Sequence, residues 1–226
     1  MNTIAYHKIL DELKHRKVQL VVVSKTRTPA EIREMYELGQ RDFGENYVQE
    51  LVDKQAELPS DIRWHFIGHL QTNKVKYIAP FIHMIQGVDS QKLLMEIDRQ
   101  AKKNQRSILC LLQVHIAREE TKFGFSEREL MELAETVLPN RKENILNNVQ
   151  IAGLMGMASL TGDQQQIGNE FKNLKIAFDQ IKKVLPEDPV QTLSMGMSSD
   201  YTIALQEGST MIRIGTALFG ERDYNL

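Results

Sequence analysis

Eight short apolar runs, each bounded by turn or cap residues, punctuate the chain near residues 19–24, 42–44, 63–67, 82–87, 107–114, 150–156, 190–195 and 211–214. Short runs of aliphatic and β-branched residues with little polar alternation mark strands buried on both faces, as in a parallel sheet. Between them, Ala30–Leu38, Gln91–Lys103, Glu127–Val137, Asn169–Val184 and Tyr201–Glu207 carry apolar residues at helical spacing, and a further helix is predicted at about 3–16. Parallel neighbours need crossovers. Strict strand–helix alternation through eight units therefore predicts an α/β chain closed as one (β/α)8 TIM barrel domain over residues 1–226, with an extra N-terminal helix. An open doubly wound sheet is the alternative, because the second and third runs are short. The polar stretches 139–148 and 160–167 are predicted surface loops.

Composition narrows the partner more than the fold. With 226 residues and 42% hydrophobic content, one sizeable core can be filled. A net charge of -2, from 28 basic and 30 acidic residues, gives no electrostatic case for nucleic acid or an anionic membrane and points to a small-molecule partner. No apolar run approaches the roughly 20 residues of a spanning helix, and Met1–Lys17 is too polar for a signal peptide, so a cytoplasmic protein is expected. The single cysteine, Cys110, rules out an internal disulfide framework and reads as an inert buried thiol.

Candidate chemistry gathers at strand ends, where barrels place their sites. Lys25 closes the run Leu20–Ser24 just before the helix-starting Thr28-Pro29-Ala30-Glu31. Desolvation disfavours an ammonium, and a neutral lysine condenses with an aldehyde, so Lys25 is a candidate Schiff-base lysine; a lysine snorkelling into water is the other reading. The seventh run leads through Ser198 and Ser199, one of them the expected helix cap, and the eighth opens a short helix at Gly215-Thr216. The loops after strands seven and eight form the usual phosphate site of barrels, which makes Ser198, Gly215 and Thr216 candidates, with ordinary capping as the alternative. Arg213 alternates with Met211 and Gly215 and so points inward, suited either to a structural ion pair or to an aromatic ring nitrogen. Asn46 could meet a ligand or cap its helix, and His65 could line a pocket or sit satisfied in the core. His65 and His69 lack the glutamate of His-Glu-x-x-His, so no metal site is expected. The glycines and methionines of Gly153–Met157 read as packing.

The segments Val23-Ser24-Lys25-Thr26, Phe43–Glu50, Trp64–Gln71, Gly153–Met157, Leu193–Ser198 and Ile212–Gly220 together resemble, in order, the pyridoxal phosphate homeostasis protein family. The resemblance implies a fold-type III, alanine-racemase-like barrel that binds pyridoxal 5'-phosphate, without the C-terminal β domain that gives alanine racemase its second acid/base. It implies that Lys25 forms the internal aldimine, that Arg213 faces the pyridine nitrogen, that Ser198, Gly215 and Thr216 hold the phosphate, and that Asn46 and His65 lie near the ring. An arginine there disfavours ring protonation and weakens the cofactor as an electron sink. The expected function is accordingly non-catalytic: a cytoplasmic monomer that holds, buffers or delivers pyridoxal phosphate, with cofactor-dependent apo-enzymes as recipients. An amino-acid racemase-like enzyme is the alternative. Arg27, Gly87 and His115 depart from the family's usual residues, and they put the polar contacts near them in doubt.

Overall fold

A computed structural model of the protein describes residues 1–119, 123–139 and 146–220. The apolar runs become β1 (Gln19–Val23), β2 (Asp42–Glu45), β3 (Arg63–Phe66), β4 (Met84–Val88), β5 (Ile108–Gln113), β6 (Val149–Met155), β7 (Thr192–Ser194) and β8 (Met211–Ile214). All eight pair in parallel in sequence order, and β8 pairs with β1 through Gln19↔Met211 to Val22↔Ile214, closing the barrel. Closure removes the open doubly wound alternative.

The helices are α1 (Thr3–Leu13), α2 (Pro29–Glu37), α3 (Val48–Glu57), α4 (Val75–Ile78), α5 (Gln91–Lys103), α6 (Glu127–Glu132), α7 (Gln164–Val184), α8 (Tyr201–Gln206) and α9 (Thr216–Phe219). Local chemistry sets their starts. Thr28 and Glu31 form a capping box around Pro29 at the head of α2, and Ser126 and Glu129 do the same for α6.

Three expectations need correction. Asp163 accepts from the amides of Gln165 and Gln166, so α7 starts at Gln164 and the predicted loop 160–167 is helical from there on. The segment Glu127–Val137 is not one α-helix, because α6 passes into a π-helical turn at Leu133–Val137. The N-terminal helix ends at Leu13 rather than near residue 16. Of the other predicted loop, 139–148, residues 140–145 lie outside the described residues.

Two apolar layers carry the fold. The larger lies between strands and helices and includes Phe43, Trp64, Phe66, Ile97, Phe171 and Phe178. The smaller plugs the barrel with Val21, Met84, Leu111, Ala152, Met155 and Met211. In β6, Gly153 marks a register shift against β5: its φ is +150°, and a Cβ there would overlap the carbonyl of Thr192 on β7. At Gly153, then, the glycine serves close packing. Cys110 is fully buried, and burial pushes its thiol up, away from the reactive thiolate. Among the described residues no helix is long and apolar enough to cross a membrane.

Candidate functional site

At the C-terminal mouth of the barrel, a cavity of about 540 Å³ is lined by groups from β1, β2, β3, β6, β7 and β8 or the loops that follow them. That size suits a small ligand. Val23, Ile67, Met157 and Met197 give it apolar walls, and Lys25, Asn46, Ser198, Ser199, Arg213 and Thr216 give it polar ones. Gly215 also lines it, and a Cβ there would lie 3.2 Å from Val23 Cβ, so glycine keeps that wall open. Six of the seven residues singled out in the sequence thus meet in one space.

Lys25 sits two residues beyond β1 in a tightly held loop. Arg27 N–H donates to the Ser24 carbonyl (3.0 Å), and Thr26 takes a left-handed φ of +65°. That unusual conformation for threonine is fixed by the Glu50 carboxylate, which accepts from the Thr26 amide at 2.5 Å. Lys54 ties the arrangement down from α3: its Nζ donates to the Ser24 carbonyl (2.7 Å) and contacts Glu45 (2.8 Å) and Glu50 (2.6 Å). Ser24 Oγ donates to the same Glu45 oxygen at 2.6 Å. Both backbone neighbours of Lys25 therefore hang from one buried cluster. Burial pushes the Glu45 carboxyl up, against the opposing pull of Lys54. The cluster was missed in the sequence, where Glu50 and Lys54 show only the i, i+4 spacing of an ordinary surface pair.

Arg213 points inward, as alternation predicts, and is only 3% exposed. Its Nη1 donates to Ser194 Oγ at 2.5 Å and its Nη2 to the Gly156 carbonyl at 3.0 Å. Among the described residues it forms no ion pair, so the guanidinium is held by a hydroxyl and a carbonyl instead of the structural carboxylate weighed above. Burial lowers it to about 10, partly offset by Asp200, and it stays cationic at neutral pH.

Asn46 follows β2 and presents a buried Oδ1 with no hydrogen-bond partner among the described residues. Helix capping does not explain it, because α3 is capped at Tyr47 without a side-chain bond. A buried orphan acceptor on a cavity wall is suited to a donor on a ligand. Ser198 is not the cap of α8 either. Asp200 occupies that position, accepting from the Met197 amide at 2.6 Å, and Ser198 Oγ instead accepts from the Ala217 amide of α9 at 3.3 Å. That contact joins the loop after β7 to the turn after β8, where Gly215 and Thr216 lie. Because α8 and α9 span only six and four residues, local amides and hydroxyls, more than a helix dipole, are what this corner offers an anion.

His65 is the predicted site residue that the cavity does not include. It is fully buried, with Nε2 3.0 Å from Asp42 Oδ1 and Nδ1 3.0 Å from Gln86 Nε2, so both ring nitrogens are engaged. His69 turns to a different carboxylate, Asp89 (2.8 Å), and stacks on Phe123 at 3.9 Å. Of the departures, Arg27 donates to the Gly220 carbonyl (2.8 Å) and lies 5.3 Å from the Phe219 ring centroid, lashing the Lys25 loop to the end of α9. A Cβ at Gly87 would strike the Gly68 carbonyl, and His115 Nε2 lies 2.8 Å from the Glu119 carbonyl; neither residue lines the cavity.

Residues 6–223 match the family described as alanine racemase, N-terminal domain. Proteins named pyridoxal phosphate homeostasis protein are similar along most of the chain. The one from Pasteurella multocida is 38% identical over 92% of this chain and 88% of its own length. The human one is 39% identical over 92% and 78% respectively. PipY of Synechococcus elongatus, solved without pyridoxal phosphate, is 38% identical with a TM-score of 0.85, covering 94% of this chain and 99% of PipY; its structure with pyridoxal phosphate bound superposes at 0.82. Alanine racemase from Bartonella henselae shares the fold, at 15% identity and a TM-score of 0.69, over 98% of this chain and 60% of the racemase. The barrel, its cavity and these relatives place the chain in the pyridoxal phosphate homeostasis protein family.

Proposed function

We propose that the protein binds pyridoxal 5'-phosphate in the cavity at the barrel mouth and serves to hold, buffer or deliver it, without catalysing a reaction of its own. The observation that carries this reading is the convergence of one amine, Lys25, one buried cation, Arg213, and the Ser198, Gly215 and Thr216 corner in a single space of about 540 Å³. The donor set fits the group. When bound, the cofactor supplies an aldehyde with which the Lys25 amine condenses, with loss of water. Ser198, Gly215 and Thr216 would accommodate the phosphate, and the orphan Asn46 Oδ1 would accept from the ring hydroxyl. Arg213 would donate to the ring nitrogen and, being itself cationic, would keep a proton off it. An unprotonated ring draws electrons weakly, which favours holding over turnover. His65 does not line the cavity and would make no contact with the ring.

The relatives' shared name, and the PipY structure with pyridoxal phosphate bound, support the same reading. The natural setting is the cytoplasm, with a monomer passing the cofactor to apo-enzymes that depend on it. The test is a visible spectrum of protein incubated with pyridoxal phosphate, before and after borohydride. Wild type should show an imine band that borohydride removes, and Lys25→Ala should show none. A Lys25→Ala protein with the full band, or a colourless wild type, would overturn the assignment. Solvent deuterium entering the α-carbon of amino acids would favour a racemase-like enzyme instead.

A further inference from the structure

We infer that Ser194, Gln86, His65 and Asp42 form a one-way hydrogen-bond chain through the barrel interior whose role is to position the Arg213 guanidinium for its ring contact. The inference rests on the reading of Arg213 given above. Arg213 Nη1 donates to Ser194 Oγ (2.5 Å), and Ser194 Oγ donates to Gln86 Oε1 (2.7 Å). Gln86 Nε2 then meets His65 Nδ1 (3.0 Å), and His65 Nε2 meets Asp42 Oδ1 (3.0 Å). The four positioning residues come from β7, β4, β3 and β2, so the chain runs across the barrel from Arg213 on β8.

Its direction is forced from the far end. Asp42 is a carboxylate gripped by Arg63 at 2.8 and 2.5 Å, and a carboxylate only accepts. His65 must therefore carry a proton on Nε2, and as a neutral ring it offers Nδ1 as an acceptor. Only the amide nitrogen of Gln86 can fill that acceptor, which turns Oε1 toward Ser194. The Ser194 proton is then committed to Gln86, leaving an oxygen lone pair for Arg213. With Nη2 held by the Gly156 carbonyl, the guanidinium plane is set, and its remaining donors are available to the cavity.

The whole chain is sealed, with Asp42 5% exposed and His65, Gln86 and Ser194 fully buried. Water therefore cannot replace a missing link, and losing one member misorients the rest. A second contact makes Gln86 the pivot, since its Nε2 also lies 3.2 Å from Met211 Sδ, in the plug beneath the cavity. An apolar side chain at 86 would pack against the same methionine but break the chain.

The test separates orientation from packing by using two ligands, pyridoxal phosphate and its 1-deaza analogue, in which a C–H replaces the ring nitrogen. Both keep the aldehyde and the phosphate. In Gln86→Leu, affinity for pyridoxal phosphate should fall roughly 10- to 100-fold, as for loss of a charge-assisted hydrogen bond, while affinity for the deaza analogue stays within about twofold. Ser194→Ala, which removes one oxygen, should show the same selectivity and carries the comparison if Gln86→Leu does not fold. Equal losses for the two ligands, or no loss for either, would overturn the positioning role. A wild type that binds neither ligand would overturn the functional reading and this inference with it.

Discussion

Lys54→Met removes the ammonium that holds both neighbours of Lys25. Lys54 is 4% exposed, Glu45 is fully buried, and the ammonium makes three contacts of 2.6 to 2.8 Å. Methionine nearly matches its volume, so the cost is electrostatic, not a cavity. Removing one member of a buried ion pair costs about 3–5 kcal/mol, because the partner's charge stays buried and unbalanced. Here the lower end applies, since Glu45 can escape by taking up a proton. Burial already holds its carboxyl above the usual 4.5, and losing Lys54 raises it further. A carboxyl raised in the folded state lowers stability as pH rises from its unfolded value through its folded one, and the full penalty stands above both. The deficit of Lys54→Met should therefore be about 3 kcal/mol at pH 8, a fall in Tm of roughly 6 to 12 °C for a chain of this size, and distinctly smaller at pH 5. Urea unfolding at the two pH values, followed by the fluorescence of the single, buried Trp64, measures it. Adding Glu45→Gln should recover at least half the loss at pH 8. A deficit below about 1 kcal/mol, or one equal at both pH values, would show that Glu45 is not the isolated charge this reasoning requires.

Gly153→Ala should cost more than about 4 kcal/mol or abolish soluble expression, because the new Cβ overlaps the Thr192 carbonyl at a φ of +150°; a Tm within a few degrees of wild type would contradict it. Asp42→Asn should flatten the acid limb of stability. Burial alone would push the Asp42 carboxyl up, but hydrogen bonds from His65 and Arg63 outweigh that and hold it well below the usual range. Its stabilisation is present above about 3.8 and lost as pH falls below that, so urea midpoints between pH 5 and pH 2.5 should drop less steeply in the variant.

The barrel was legible because parallel strands are self-announcing: Leu20–Val23 or Ile108–Leu112 can only be buried on both faces, and alternation with helices then dictates the order. Helix starts were harder. Gln164–Gly168 carries a single apolar residue, Ile167, and so shows no apolar stripe, which left Asp163 as a cap the main signal for the first turn of α7, while Ser198, Ser199 and Asp200 present three capping residues in a row. The cavity's wall was legible wherever a polar residue closed a strand, as at Lys25, Asn46 and Ser198. The barrel's polar interior was not. His65, Gln86 and Ser194 are single polar residues on separate strands, and the Ser194–Gln86 bond spans 108 positions, a contact that exists only once the barrel has closed.

The barrel closes where β1 meets β8, and Val21 stands in register with Arg213 at that seam. A ligand gripped by Lys25 on one side and by Arg213 and Thr216 on the other would join the first and last strands of the barrel. Contacts across the seam are among those in the molecule that demand the largest loop closure. Loading would then act as a clasp on the fold, with binding energy adding directly to the stability of the closed ring.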